Sequence, residues 1–349
     1  MTVTTSHPKH SAKGYAERVV GGDRRALSRL ISWAENGDKR FPEALEAMYP
    51  SIGNAWRVGI TGPPGAGKST LVNELAHALR SKEMGEREVG ILAIDPSSPF
   101  TGGALLGDRI RMDELTGDKH VYIRSMASRK SHGGMARAGV DACDVMDAYG
   151  MERILIETVG VGQAEYDVMG ACDTVVVVMC PGAGDGVQAM KAGILEVADV
   201  LVVNKSDQAG AERLAGDLSE AVHTRAIRSE EWLSETGDAW SVPVVLASAG
   251  KGENIDKVLE AVAAHRAMLA SRGPNGLQEA RLKKRVAQVR RVVDDLLDER
   301  VWSTAELGNH VEEALAKGAT AYGVADEVVE KLLGGSAQGD NANEQSANQ

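Results

Sequence analysis

The chain has 349 residues, of which 43% are hydrophobic, enough for one large α/β domain and a smaller helical appendage. Asp and Glu outnumber Lys and Arg by 50 to 39, and this acidic balance argues against nucleic acid or an anionic membrane as the main partner. No apolar run reaches the roughly 18 residues of a membrane span, and the first residues lack a signal-peptide core. The 3 cysteines suggest neither a disulfide framework nor a zinc site. These features predict a cytoplasmic protein.

The residues up to about 50 have helical periodicity and predict an N-terminal helical extension. Short apolar runs then alternate with helical stretches, which is typical of strands buried on both faces of a parallel sheet. We therefore predict a mostly parallel, doubly wound α/β domain over residues 51–271. Its predicted strands are Arg57–Thr61, Val89–Ile94, Val121–Arg124, Ile154–Glu157, Thr174–Cys180, Val200–Asn204 and Val242–Ala247.

A Gly-Pro-Asn-Gly break at Gly273–Gly276 lies at the start of a helical region that we assign to residues 272–335. A long helix is predicted over Leu277–Trp302, and a second helical stretch over Thr304–Leu333. On the long helix, apolar residues recur at heptad spacing, which fits either packing on its own domain or an arm for self-association. These residues are Leu282, Val286, Val289, Val293 and Leu296. The Gly-, Asn- and Gln-rich tail, 336–349, is predicted to be disordered.

A phosphate-binding loop follows the first predicted strand. The sequence Gly62-Pro63-Pro64-Gly65-Ala66-Gly67-Lys68-Ser69-Thr70 fits the pattern G-x-x-x-x-G-K-[ST] and opens a helix. Its backbone N–H groups and the helix N-terminus favour phosphate oxygens. Lys68 is expected to reach the β- and γ-phosphates, and the Ser69 hydroxyl to bind Mg²⁺.

A base-reading loop is predicted where the strand at Val200–Val203 ends, in the sequence Asn204-Lys205-Ser206-Asp207. A carboxylate at Asp207 accepts hydrogen bonds from both N1–H and the 2-amino group of guanine, whereas adenine presents a lone pair at N1. Asn204 and Lys205 are expected to pin the loop and cover the base. Ser248 and Ala249, after a further strand, fit a small-residue loop whose backbone N–H contacts guanine O6. The predicted ligands are therefore GTP and GDP.

A carboxylate and a glycine lie between these two loops, in the sequence Glu157-Thr158-Val159-Gly160. Glu157 is expected to act through Mg²⁺ or its water shell, and Gly160 to donate its N–H to the γ-phosphate. Val161 stands where many small GTPases place a water-orienting Gln. We therefore expect slow intrinsic hydrolysis that another element or a partner completes.

Two further aspartates are metal-ligand candidates. Asp95 ends the strand Ile91–Ile94, which places a carboxylate at the edge of the predicted sheet. Asp108 lies in a long Gly-rich connection, and long connections near a nucleotide are usually functional. We predict Ser69, Asp95, Asp108 and Glu157 as the metal residues, and Lys68, Asp108, Glu157 and Gly160 as the catalytic residues.

These motifs together resemble one family, the MeaB/ArgK GTPases, which are metallochaperones of adenosylcobalamin-dependent acyl-CoA mutases. The resemblance is carried by GPPGAGKST at 62–70, AIDPSSPFTGGALLGDRIRM at 93–112, IRSMASR at 123–129, ETVGVGQAE at 157–165, PGAGDGVQAMKAG at 181–193 and NKSD at 204–207. It implies a G domain of the class that includes signal-recognition and nickel-insertion GTPases. It also implies a C-terminal helical arm that dimerises, which favours self-association through the heptad residues.

The resemblance further implies GTP-gated loading and protection of a mutase of the methylmalonyl-, isobutyryl- or 2-hydroxyisobutyryl-CoA type. It assigns Lys68, Ser69, Asp95, Asp108 and Glu157 as phosphate and metal residues, and it implies a third switch loop at Gly182–Lys191. In that loop, the sequence 186–191 departs from the family pattern, which leaves the client mutase open.

Two other functions compete with this interpretation. An ATPase or kinase linked to amino-acid transport shares the P-loop, but Asn204 and Asp207 favour guanine over adenine. A nickel-insertion GTPase shares the fold class, but the 8 histidines are scattered without paired spacing. A purely structural role leaves the P-loop unexplained.

Overall fold

A computed structural model describes most of the chain. The chain divides into two compact units, Met1–Gln288 and Val289–Gln349. The described residues are 11–85, 87–96, 113–128, 134–158, 169–182, 195, 197–230, 240–272, 275–302 and 305–334. The predicted disordered tail, 336–349, lies outside these residues.

The first unit is organised around a seven-stranded sheet with strand order β3-β2-β4-β1-β5-β6-β7. Every strand pair is parallel. The strands are β1 (Trp56–Thr61), β2 (Val89–Pro96), β3 (Val121–Ser128), β4 (Arg153–Thr158), β5 (Thr174–Met179), β6 (Val200–Val203) and β7 (Val244–Leu246). The predicted parallel α/β sheet is thus confirmed, and each predicted strand overlaps an observed one.

Helices precede the sheet and connect its strands. They are α1 (Ala12–Val20), α2 (Arg24–Asn36), α3 (Phe41–Met48), α4 (Lys68–Arg80), α5 (Asp113–Thr116), α6 (Gly134–Tyr149), α7 (Ala211–Glu230), α8 (Ile255–Ser271) and the first part of α9 (Gly276–Trp302). Asp23 begins α2 because its carboxylate accepts the N–H groups of Arg25 and Ala26. Gly37 ends that helix in the left-handed conformation, at φ 62°.

The first three helices share a hydrophobic core with the sheet. Leu27, Leu30 and Ile31 of α2 belong to the same buried cluster as Tyr122 of β3 and Val145 of α6. The opposite face of the sheet carries a second cluster, in which apolar residues of α4 and α8 pack against β1, β5 and β6. Alternate residues of each strand point to opposite faces, so a single strand supplies both clusters.

The second unit contains the remainder of α9, followed by α10 (Ala305–Ala316) and α11 (Ala321–Gly334). Gly318, at φ 89°, lies in the connection between α10 and α11. Among the residues that the structure describes, no helix is both long and apolar enough to cross a membrane.

Candidate functional site

The P-loop connects the carboxyl end of β1 to the first turn of α4. Gly62 has φ 141°, and a Cβ atom there would lie 2.1 Å from the carbonyl oxygen of Val178. Gly67 has φ 88°, and its Cβ would lie 2.4 Å from Nδ2 of Asn204. Neither position accommodates a side chain, because each combines a left-handed backbone with a close neighbour. The loop is thereby held against β5 and against the base-reading loop.

Lys68 begins α4, and its side chain is buried inside the loop. Its ammonium group donates to the carbonyl oxygens of Gly62 at 2.8 Å and Pro63 at 3.1 Å. A cation and the N-terminus of a 13-residue helix thus lie at the same end of the loop. Both favour an anion at this position.

The carboxylate of Glu157 reaches the P-loop because β4 is the neighbour of β1 in the sheet. Glu157 lies opposite Ile60 in the parallel register. The Ser69 hydroxyl donates to Oε1 of Glu157 at 2.5 Å, and Glu157 is 1% exposed. These are hard oxygen donors of the kind that Mg²⁺ prefers. The donor set therefore fits a magnesium ion.

The other predicted metal residues add little geometry. The backbone of Asp95 lies in β2, opposite Ala127 of β3, but its side chain is not among the described parts of the structure. Asp108 and Gly160 lie wholly outside the described residues. Within the described residues, no group of three or more His, Cys, Asp or Glu side chains is arranged to hold a metal. Their roles therefore remain predictions.

Asn204 joins three loops at the end of β6. Its Nδ2 donates to the carbonyl oxygen of Ala66 at 2.8 Å, and its Oδ1 accepts the backbone N–H of Ala249 at 2.9 Å. The next residue, Lys205, has a left-handed backbone at φ 57° and donates from Nζ to the carbonyl oxygen of Gly65 at 2.8 Å. The phosphate loop, the base-reading loop and the loop after β7 are consequently fixed relative to one another.

The Asp207 carboxylate is held by two side chains. The Ser248 hydroxyl donates to Oδ1 at 2.8 Å, and Nζ of Lys251 lies 3.3 Å from Oδ2. The Ser248 hydrogen bond lowers the pKa of Asp207, with a further contribution from Lys251. The carboxylate is therefore ionised at neutral pH and suited to accept two N–H donors.

Sequence reasoning did not identify two of the contacts at this edge. It missed Lys251, which lies two residues after Ala249 in the short 3-10 turn Ala249–Lys251. It also missed a hydrogen bond between the hydroxyls of Thr158 and Thr61. Thr61 directly precedes the phosphate loop and Thr158 directly follows Glu157, and these positions were the available signal.

A parallel sheet with a phosphate loop, an adjacent buried carboxylate and a braced Asn-Lys-x-Asp loop defines a P-loop nucleotide-binding protein. The comparisons with known proteins identify its family. Residues 27–306 match the family described as methylmalonyl-CoA mutase-associated GTPase MeaB. This chain belongs to that family, and the resemblance found in the sequence is confirmed. It is accordingly a GTPase that binds guanine nucleotide.

Individual relatives agree with this membership. A Pyrococcus abyssi protein named as a GTPase is 43% identical over 322 residues, covering 91% of this chain and 96% of the relative. The mouse mitochondrial methylmalonic aciduria type A homolog is 38% identical over 259 residues, covering 69% of this chain and 59% of the mouse protein. A crystal structure titled LAO/AO transport system kinase has a TM-score of 0.69 at 23% identity, with 94% of this chain and 100% of that chain covered. At that identity the structural likeness supports the fold alone.

Proposed function

We propose that this chain is a Mg²⁺-dependent GTPase chaperone that gates adenosylcobalamin loading of an acyl-CoA mutase and protects the loaded enzyme. The client is a mutase of the methylmalonyl-CoA type or a related isobutyryl- or 2-hydroxyisobutyryl-CoA enzyme. The observation that carries the nucleotide part is the junction of Ala66, Asn204 and Ala249, which fixes phosphate and base loops together. Family membership supports the mutase part.

The phosphate loop binds GTP through groups that are already in place. The ammonium of Lys68 exchanges the carbonyl oxygens of Gly62 and Pro63 for phosphate oxygens, which are stronger acceptors because they are charged. The N–H groups at the start of α4 add further donors. Asp207, held by Ser248 and Lys251, accepts from N1–H and the 2-amino group of guanine.

Ser69 and Glu157 would hold the magnesium ion. The ion, when bound, neutralises charge on the β- and γ-phosphates. The Ser69 hydroxyl would offer a lone pair to the ion in place of its hydrogen bond to Glu157, and the Glu157 carboxylate would act on the ion directly or through its water shell. Asp95 and Asp108 complete the proposed set.

Hydrolysis by this chain alone is expected to be slow. The position after Gly160 is Val161, which has no group to orient a water molecule. A partner, or the loop at Gly182–Lys191, supplies this function in our proposal. The GTP-bound state is therefore long-lived until the client binds, as a gate requires.

The second proposed partner is another copy of this chain, bound through the heptad face of α9. Leu282 and Val286 are 63% and 47% exposed in the first unit, and Val289 and Val293 are 61% and 47% exposed in the second. Large apolar side chains at heptad spacing on an exposed helix face are typical of a coiled-coil seam.

Sedimentation equilibrium tests the dimer. Val289→Asp with Val293→Asp is expected to give a monomer, because each carboxylate would be desolvated in the seam. Asp294→Lys, at an exposed position that lies outside the seam, is the matched control and should remain dimeric. A wild-type monomer at micromolar concentration, or equal dissociation of both variants, would contradict the seam.

The function is tested by steady-state hydrolysis of GTP, with ATP as control, alone and with purified mutases of the methylmalonyl and hydroxyisobutyryl types. Slow GTP turnover that one mutase accelerates would identify the client. The same mixtures are assayed for adenosylcobalamin transfer to the apo-mutase with GTP and with a non-hydrolysable analogue. GTP turnover indifferent to every mutase would refute the chaperone proposal, and ATP turnover would favour the transport-kinase alternative.

A further inference from the structure

Two buried hydroxyls join the strands that carry the phosphate loop and the magnesium carboxylate. Thr61 is the last residue of β1, and Thr158 is the last residue of β4. Oγ1 of Thr158 donates to Oγ1 of Thr61 at 3.2 Å. Thr61 is 3% exposed and Thr158 is not exposed at all. The pair therefore lies in the interior, with Thr61 directly before the phosphate loop and Thr158 directly after Glu157.

The threonine pair and the Ser69–Glu157 pair lie on opposite faces of the sheet. Side chains alternate along a strand, so Thr158 points away from the face on which Glu157 meets Ser69. Consistently, Ile156 belongs to the cluster with α2 and α6, whereas Leu155 belongs to the cluster with α4. The backbone that carries Glu157 is thus held by Ser69 on one face and by the threonine pair on the other.

Folding alone gives little reason to place hydroxyls here. Valine has the shape of threonine and fills the interior of the neighbouring strand β5, which reads Thr-Val-Val-Val-Val-Met. A hydrogen bond between two buried hydroxyls adds little net stability over two apolar groups of the same shape. A requirement beyond packing accounts better for hydroxyls at both strand ends.

We propose that Thr61 and Thr158 are positioning residues for the magnesium site. Their hydrogen bond fixes the end of β4 against the end of β1, and so holds the Glu157 carboxylate beside Ser69, where the two would serve a metal ion. This inference rests on the proposed magnesium site and adds residues that do not themselves touch metal or nucleotide.

The test separates positioning from stability by a double substitution. Thr61→Val with Thr158→Val removes both partners of this hydrogen bond together, so the thermal unfolding midpoint should stay close to that of the wild type. We expect the Mg²⁺ concentration that half-maximally tightens GDP binding to rise about tenfold, as for other residues that support metal ligands. GDP affinity in EDTA should not change.

Two further variants serve as controls, one for the hydroxyl group and one for a loss of stability. Thr158→Ser keeps the hydroxyl and should retain the wild-type Mg²⁺ dependence, whereas Thr158→Val should lose it. Thr174→Val is the matched control at the amino end of β5, where the buried Thr174 hydroxyl accepts from Nε1 of Trp56 at 3.1 Å. It should lower the unfolding midpoint and leave the Mg²⁺ dependence unchanged.

The outcomes distinguish the inference from the proposed function beneath it. Wild-type GDP binding that ignores Mg²⁺ would refute the magnesium site itself. A normal wild-type response with an unshifted double-valine variant would overturn the positioning role, as would equal losses in Thr158→Ser and Thr158→Val. The serine and valine comparison decides the question even if the double variant does not fold.

Discussion

Polar groups gather at both ends of the central sheet, but their arrangements differ. At the carboxyl end, Lys68 and Lys205 donate to loop carbonyl oxygens, and charged phosphate oxygens can replace those that Lys68 binds. At the amino end, charged side chains bind one another: Arg57 lies 2.6 Å from Asp144, and Arg285 lies 2.8 Å from the same carboxylate. The cation at the carboxyl end can exchange its carbonyl partners for a bound ligand. The charges at the amino end neutralise one another and leave neither arginine for a ligand.

The amino end also contains a cavity of about 430 Å³, lined by Arg57, Arg281 and Arg285 among others. Arg281 binds Asp173 at 2.8 Å and also donates to the carbonyl oxygen of Ala55. Because these cations already have carboxylate partners, we assign the cavity no ligand.

The largest expected effect is a loss of stability when the ion-pair network at the amino end of the sheet is broken. Arg57→Met removes the buried partner of Asp144, which is fully buried, and of Asp147. The free energy of unfolding should fall by about 3–5 kcal/mol, because a charge is left buried with fewer partners. Urea unfolding measures this loss. GDP affinity of the folded fraction should be unchanged, and a parallel loss of affinity would show that the two ends are coupled.

The next largest effect is expected on nucleotide binding at the carboxyl end of the sheet. Lys68→Ala should weaken GTP binding by at least about 100-fold, because charge-assisted bonds to two phosphates are lost. Isothermal titration calorimetry measures the affinity, and urea unfolding of the same variant should show a far smaller change than for Arg57→Met. Unchanged affinity would refute the P-loop assignment.

Base recognition should respond selectively. Asp207→Asn is expected to weaken GTP binding by roughly 10- to 100-fold, and to weaken binding of ITP much less, because ITP lacks the 2-amino group that the carboxylate accepts. Competition against a fluorescent GDP gives both affinities. The exposed ion pair with Lys251 contributes little. Equal losses for the two nucleotides would count against base reading by Asp207.

The smallest effect, counted per pH unit, concerns the titration of Asp141 at the amino end. Burial, followed by the neighbouring Asp144, raises the pKa of Asp141 to about 7. The unfolded chain releases this proton near its ordinary value of 3.8, so the folded state binds more protons between about pH 4 and pH 7. The free energy of unfolding therefore loses up to about 1.4 kcal/mol per pH unit as pH rises through this window.

Asp141→Asn should remove this dependence. The variant is expected to be more stable than the wild type at pH 8 and about as stable at pH 4. Thermal unfolding across that range measures the difference between the two proteins. Identical pH profiles would show that Asp141 is ionised in the folded state.

Sequence reasoning located the phosphate loop and every strand in the part of the chain that the structure describes. This was possible because the strands of a parallel sheet are buried on both faces and therefore have continuous apolar sequences. It located Asp207 and Ser248 as separate motifs. It did not find the amino-end network, although Asp141, Asp144 and Asp147 recur at helical spacing in α6, most of whose other residues are apolar. That pattern was a signal that a buried cation must lie opposite.

Contacts between residues distant in the sequence could not be predicted from it. Arg57 and Asp144 are separated by 87 positions, and Asn204 and Ala66 by 138. Nothing in local periodicity specifies which strands are neighbours, and only the order β4-β1-β5-β6 brings these residues together. The Thr61–Thr158 pair depends on the same order.

The sequence by itself determined the chemistry of this protein: a phosphate loop at Gly62–Thr70, a guanine-type motif at Asn204–Asp207 and the parallel α/β class, because each is encoded by neighbouring residues. The tertiary structure alone decided the geometry. It placed Glu157 against Ser69, Asn204 between two loops, and the threonine pair behind the carboxylate. Side-chain distances depend on strand order and register, which arise from packing of the whole sheet rather than from any one segment.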